Sequence, residues 1–74
     1  MDDLILMIFK THQHEWLTAQ HVKVIVNAIK GTNILLTPVK KSINRLIRHN
    51  KVTRLTTQTE EKYMLTDCRQ GFYL

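Results

Sequence analysis

The sequence predicts an α+β domain in which three helices are followed by a β-hairpin, and three observations carry that reading. Val22, Ile25, Val26 and Ile29 recur at the i, i+3, i+4, i+7 spacing of one buried helical stripe. Thr37-Pro38 opens a further segment with one apolar and one basic side. Residues 52–57 are β-branched and alternating, and after a polar turn at 58–61 the chain returns in the same style over 62–66.

The elements follow in order. Asp2–Thr11 reads as the first helix, with Asp2 or Asp3 expected to cap its orphan amides and to suit its positive dipole end. Leu4, Ile5 and Ile8 share one face, while Leu6, Met7 and Phe9 spread further round. Residues 12–17 connect, and Trp16-Leu17 is a candidate short strand. Thr18 suits the N-cap of a second helix over Ala19–Lys30, and Gly31 stands where a helix end favours positive φ. Residues 32–36 turn, returning Ile34, Leu35 and Leu36 to the core. Thr37 then caps a third helix over 38–50, with Pro38 in its first position and Asn50 closing it in the left-handed conformation. Trp16 and Tyr63 are expected to pack with their polar atoms on partners, and Met7 and Met64 to fill gaps.

A chain of 74 residues has room for one domain and a modest core, read here as residues 1–66 with a tail at 67–74. A hydrophobic content of 43% with two Gly and one Pro is a globular composition. The single cysteine, Cys68, excludes an internal disulfide framework and a Cys-rich zinc module. His12, His14 and His21 match no standard zinc spacing with it, so neither metal nor cofactor is expected. No secretory signal is visible, and the apolar run from Leu4 to Phe9 is far too short to span a bilayer. The expectation is a soluble intracellular protein, in the cytoplasm or nucleus of a host cell. Its Ile-, Lys-, Asn- and Thr-rich composition suggests a viral or microbial accessory gene. No enzyme is expected, because there is no Gly-rich phosphate loop and no Gly-x-Ser-x-Gly elbow. Glu60-Glu61 reads as a solvated turn, and Cys68 beside Arg69 lacks an oriented base.

Charge narrows the function. The formal net charge is +5, and all six acids lie before Trp16 or after Thr59. Every charged residue between those two positions is Lys or Arg, which is an electrostatic footprint for a polyanion. On the third helix Val39, Ile43, Leu46 and Ile47 fall within an arc of roughly 100°, and Lys40, Lys41, Asn44, Arg45 and Arg48 within roughly 140° on the other side. Lys51 follows the helix and Arg54 lies on the first hairpin strand. Lys and Arg neutralise phosphates and release counterions. Arginine can also grip guanine O6 and N7, and asparagine adenine N6 and N7. Asn44 and Arg45 are therefore the expected base readers, and Lys40, Lys41, Arg48, Lys51 and Arg54 the expected backbone contacts. The first-turn N–H groups behind Pro38 could hold a phosphate as well.

The stretch Thr-Pro-Val-Lys-Lys-Ser-Ile-Asn-Arg-Leu-Ile-Arg-His-Asn-Lys-Val-Thr-Arg-Leu, after two helices, resembles the recognition helix and first wing strand of winged helix-turn-helix DNA-binding domains. The likeness covers roughly residues 3–66, and the order of three helices and a hairpin is the winged-helix order. A narrower likeness concerns Lys40-Lys41-Ser42-Ile43-Asn44-Arg45, which is similar to a stretch of Z-DNA-binding (Zα) domains, found in RNA-editing deaminases and viral proteins. That resemblance implies phosphate contacts from Lys40, Asn44 and Arg45. Two features depart from it: Arg48 stands where the family has a base-stacking tyrosine, and Glu60-Glu61-Lys62-Tyr63 where it has Pro-Pro-x-Trp.

The reading is a double-stranded DNA-binding winged-helix protein, a small transcriptional regulator. The alternatives are a Z-form nucleic-acid binder and a protein-interaction module whose basic face meets an acidic partner. A homodimer through Leu6, Met7, Phe9 and the tail is expected, since regulators of this fold often need two copies to read a two-fold site.

Overall fold

The computed structural model describes residues 1–66, so the tail at 67–74, with Cys68 and the tail's share of the expected dimer contact, lies outside the described residues. Three helices, α1 (Asp2–Thr11), α2 (Ala19–Lys30) and α3 (Leu36–Arg48), precede a hairpin of β2 (Val52–Thr56) and β3 (Glu61–Leu65). A two-residue strand, β1 (Leu17–Thr18), joins the free side of β3, giving an antiparallel sheet in the order β1-β3-β2. This is a winged-helix arrangement of three helices and a β-hairpin wing. The strand lies one residue beyond Trp16-Leu17; Leu17 pairs with Tyr63 and Thr18 with Lys62.

Local chemistry explains most boundaries. Thr18 caps α2 by accepting the His21 N–H at 3.1 Å, and Gly31 ends the helix at φ 64°. The end of α3 is a Schellman closure: the N–H of Lys51 bonds the Leu46 carbonyl, and that of Asn50 the Ile47 carbonyl. Asn50 has φ 59°, the left-handed conformation expected of it.

Two expected caps differ. Met1 is the N-cap of α1 and no side chain caps it, because the Asp2 carboxylate turns to α3 instead. Helix α3 begins two residues early, at Leu36, so Thr37 lies inside the helix and Pro38 takes its third position. Pro38 remains within the first turn, where a missing N–H costs no intrahelical bond. The turn before α3 is stitched by Asn27, which sequence periodicity did not single out. Its Oδ1 accepts from the Ile34 N–H at 2.8 Å and the Thr32 hydroxyl at 3.0 Å, and its Nδ2 donates to the Ile34 carbonyl at 3.1 Å.

The core lies where the three helices meet the inner face of the sheet. Ile5, Ile8 and Phe9 of α1, Val22 and Val26 of α2, and Val39, Ile43 and Leu46 of α3 are buried there with Val52, Tyr63 and Leu65. Burying each large apolar side chain is worth about 1.5–3 kcal/mol. Phe9 is fully enclosed by its own chain, which corrects its assignment to a dimer contact; Leu6 is partly buried, and Met7 is 51% exposed rather than filling a gap. Ile29, at 55%, and Leu35, at 71%, are also outside the core expected to hold them. Ile29 falls in the last turn of α2. Leu35 is the N-cap of α3, where the chain turns before the helical face begins. Among the described residues, no helix is long and apolar enough to cross a membrane.

Candidate nucleic-acid interface

Helix α3 has its two sides fixed by packing. Val39, Ser42, Ile43 and Leu46 are buried, while Lys40, Lys41, Asn44, Arg45 and Arg48 are exposed, so the basic arc is turned outward by the burial of the apolar one. Lys41, Asn44, Arg45 and Arg48 together line a shallow recess of about 270 Å³. Lys41, Asn44 and Arg48 have no side-chain hydrogen bond or ion pair among the described residues. Three donors around one recess, unpartnered among the described residues, can meet an anion without first breaking a bond there.

Lys40 lies apart from that group. It borders a second recess of about 360 Å³ between α2, α3 and the wing, with Thr18, Gln20, Glu60, Glu61 and Tyr63. Lys51, in the α3 closure, and Arg54, opposite the buried Tyr63 on the hairpin, are both exposed. The seven expected contact residues thus divide into a recess of four, Lys40 against the wing, and two further cations beyond the helix.

The fold also brings back acids that the chain keeps far away. On the wing side, Glu60 bonds Lys62 at 3.4 Å and Glu61 accepts from the Tyr63 hydroxyl at 2.9 Å. Thr57 closes this turn, its hydroxyl donating to the Glu60 carbonyl and accepting from the Glu60 N–H. Tyr63 is only 3% exposed, and its phenol is pushed up to about 12 by burial and by the bond and charge of Glu61.

On the opposite flank Asp2 crosses from α1 to α3. Arg45 donates to it twice, Nε to Oδ2 at 2.8 Å and Nη2 to Oδ1 at 2.8 Å, while the buried Ser42 hydroxyl donates to Oδ1 as well. Bonds from Arg45 and Ser42 hold the carboxyl well below the usual carboxylate range, and the Asp2 carboxylate raises the Arg45 guanidinium in turn. Arg45, expected as a free reader, is therefore already half engaged. Asp2 and Ser42 are the residues that sequence reasoning missed here. Local capping rules assign the acid to its own helix, and the serine falls on the buried arc, where periodicity assigns packing alone.

Among the described residues, no group of three or more His, Cys, Asp or Glu side chains is placed to hold a metal ion. His12 faces Glu15 at 3.0 Å, a contact within one turn. No family model, no curated protein and no solved structure matches the chain.

Proposed function

We propose that this protein binds double-stranded DNA through the exposed face of α3, as a small transcriptional regulator. One observation carries the reading. Lys41, Asn44 and Arg48 project around a single recess on a helix whose other side is locked into the core. Such a face supplies phosphate neutralisation from the cations and hydrogen-bonding reach from the amide. Lys40, Lys51 and Arg54 extend the positive charge to the wing and the helix end.

The Z-form alternative has less support. Tyr63 is buried and bonded to Glu61, so it presents no aromatic face to a base, and Arg48 occupies the position of the stacking tyrosine. The carboxylates of Glu60 and Glu61 also oppose a phosphate at the wing.

The test is a titration onto random-sequence and alternating-CG duplexes over a range of salt, with circular dichroism of the nucleic acid. The expected result is binding that weakens steeply with salt and leaves B-form spectra unchanged. Lys41→Ala and Arg48→Ala should each lower the slope of log affinity against log salt by about one, for all sequences alike. Absence of binding at low salt would overturn the reading in favour of a protein partner. Inversion of the CG spectrum would favour the Z-form alternative.

A further inference from the structure

The contact between Asp2 and Arg45 joins residues 43 apart in sequence, and it uses one particular edge of the guanidinium. Arginine has five N–H donors: one on Nε and two on each terminal nitrogen. Asp2 takes the Nε–H and the neighbouring Nη2–H, the side-on edge. The end-on edge is left, with one N–H from Nη1 and one from Nη2 pointing the same way. The carboxylate is itself held from behind by the Ser42 hydroxyl, whose residue is fully buried in the interface of α3 with the rest of the domain. Both partners are thereby fixed in angle, while Arg45 keeps half of its side chain exposed beside Lys41, Asn44 and Arg48.

Two consequences follow from charge and geometry. A carboxylate against a guanidinium cancels most of its net charge at the range of an approaching phosphate, so Arg45 loses attraction for the DNA backbone relative to an unpaired arginine. A phosphate that displaced Asp2 would leave that carboxylate ionised beside it, a like-charge contact. The remaining pair of parallel N–H groups suits a neutral edge with two adjacent acceptors, and guanine O6 and N7 form that edge in the major groove. We infer that Asp2 is a specificity-determining positioning residue, which converts Arg45 from a phosphate neutraliser into an oriented reader of guanine. Its neighbours Lys41 and Arg48, which have no such partner among the described residues, remain backbone contacts. The inference rests on α3 binding duplex DNA, and it adds which residue reads the base and what aims it.

The experiment uses the full chain. Preferred duplexes are selected from a random pool with the wild type, Asp2→Ala and Asp2→Asn, the last preserving shape if the first fails to fold. Affinities are then measured on the selected duplex, on a copy with 7-deazaguanine at each guanine in turn, and on random duplex. For the wild type, one 7-deazaguanine position should weaken binding roughly tenfold, because the analogue keeps O6 but removes the N7 acceptor and leaves one arginine N–H unpaired. In the Asp2 variants that penalty should shrink to under about threefold, because the freed guanidinium turns to phosphate. Random-duplex affinity should instead rise roughly twofold to fivefold, the scale of one exposed charge pair, with a salt slope steeper by about 0.9. A contact that served only to tie α1 to α3 would lower affinity for every duplex together and leave the guanine penalty intact, and that result would overturn the inference. Salt-dependent wild-type binding with no sensitive guanine would overturn it too, while sparing the broader reading. No duplex binding by the wild type would remove both.

Discussion

The wing flank of α3 and its α1 flank both set carboxylates beside exposed cations, yet they are built in different ways. On the wing, Glu60 and Glu61 find partners within two residues, Lys62 and Tyr63. Those contacts hold the hairpin's own shape, and Lys40 borders them without an ion pair among the described residues. On the other flank, Asp2 reaches across the domain and takes its partners from α3 itself. A local acid therefore shapes the element that carries it, whereas a remote one changes which donors α3 leaves free. The central strip of Lys41, Asn44 and Arg48 lies between the two.

The contrast can be broken first by stability. Tyr63 anchors the wing flank from within the core, so Tyr63→Ala should cost roughly 3–5 kcal/mol in denaturant unfolding, as other buried aromatic truncations do. Asp2→Ala removes a half-exposed ion pair and leaves the buried Ser42 hydroxyl without its acceptor, and should cost about 1–2 kcal/mol. Similar losses for the two would mean that both flanks are equally structural.

A smaller effect concerns binding. Replacing Glu60 and Glu61 together by Gln keeps an acceptor for the Tyr63 hydroxyl and removes two negative charges near Lys40. Duplex affinity should rise roughly twofold to fivefold at low salt and the gain should fade as salt increases. Sequence preference should not change, in contrast to the Asp2 variants. A shift in preference would make the wing a reader as well.

The smallest effects are in the pH dependence, where the flanks have opposite signs. Asp2 has a depressed native pKa, so its contribution to stability is complete above the unfolded value of about 3.9 and is lost as pH falls from there through the native value. Asp2→Asn should flatten that acid limb. Tyr63 has a raised native pKa, so its contribution is complete below about 10 and is lost as pH rises toward about 12. With Tyr73, the other of the two tyrosines in the sequence, replaced by Phe, the Tyr63 phenol should titrate near 12 by ultraviolet absorbance. A midpoint near the ordinary value of about 10 would place Tyr63 in water and dissolve the wing half of the comparison.

Much of the fold was legible because its signals are short-range. The spans of α1 and α2, the Thr18 cap, the closures at Gly31 and Asn50, and the hairpin to within about two residues all follow from neighbours on the chain. The exceptions have a common cause. Leu35 and Ile29 are apolar at positions where local pattern promises burial, yet they stay exposed at an N-cap and in a last helical turn. Asn27 looks like an ordinary helical polar residue until the returning turn comes within bonding distance of its amide. Of the candidate site, the two-faced character of α3 was readable from a 100° rotation per residue. The separation of Lys40 from Lys41 toward different recesses was not, since it depends on where the wing and α1 lie.

By itself, the sequence determined the order of three helices and a hairpin, the apolar stripes that join them, and a third helix with cations opposite its buried side. Periodicity and capping act over a few residues, and that is enough to specify such features. The tertiary structure alone decided that acids from both ends of the chain flank that helix. It also decided that the Arg45 guanidinium enters the recess already held by Asp2, whose carboxylate Ser42 holds in turn. A carboxylate's partner is set by distance in space, and only the packing of α1 against α3 brings residues 2 and 45 together.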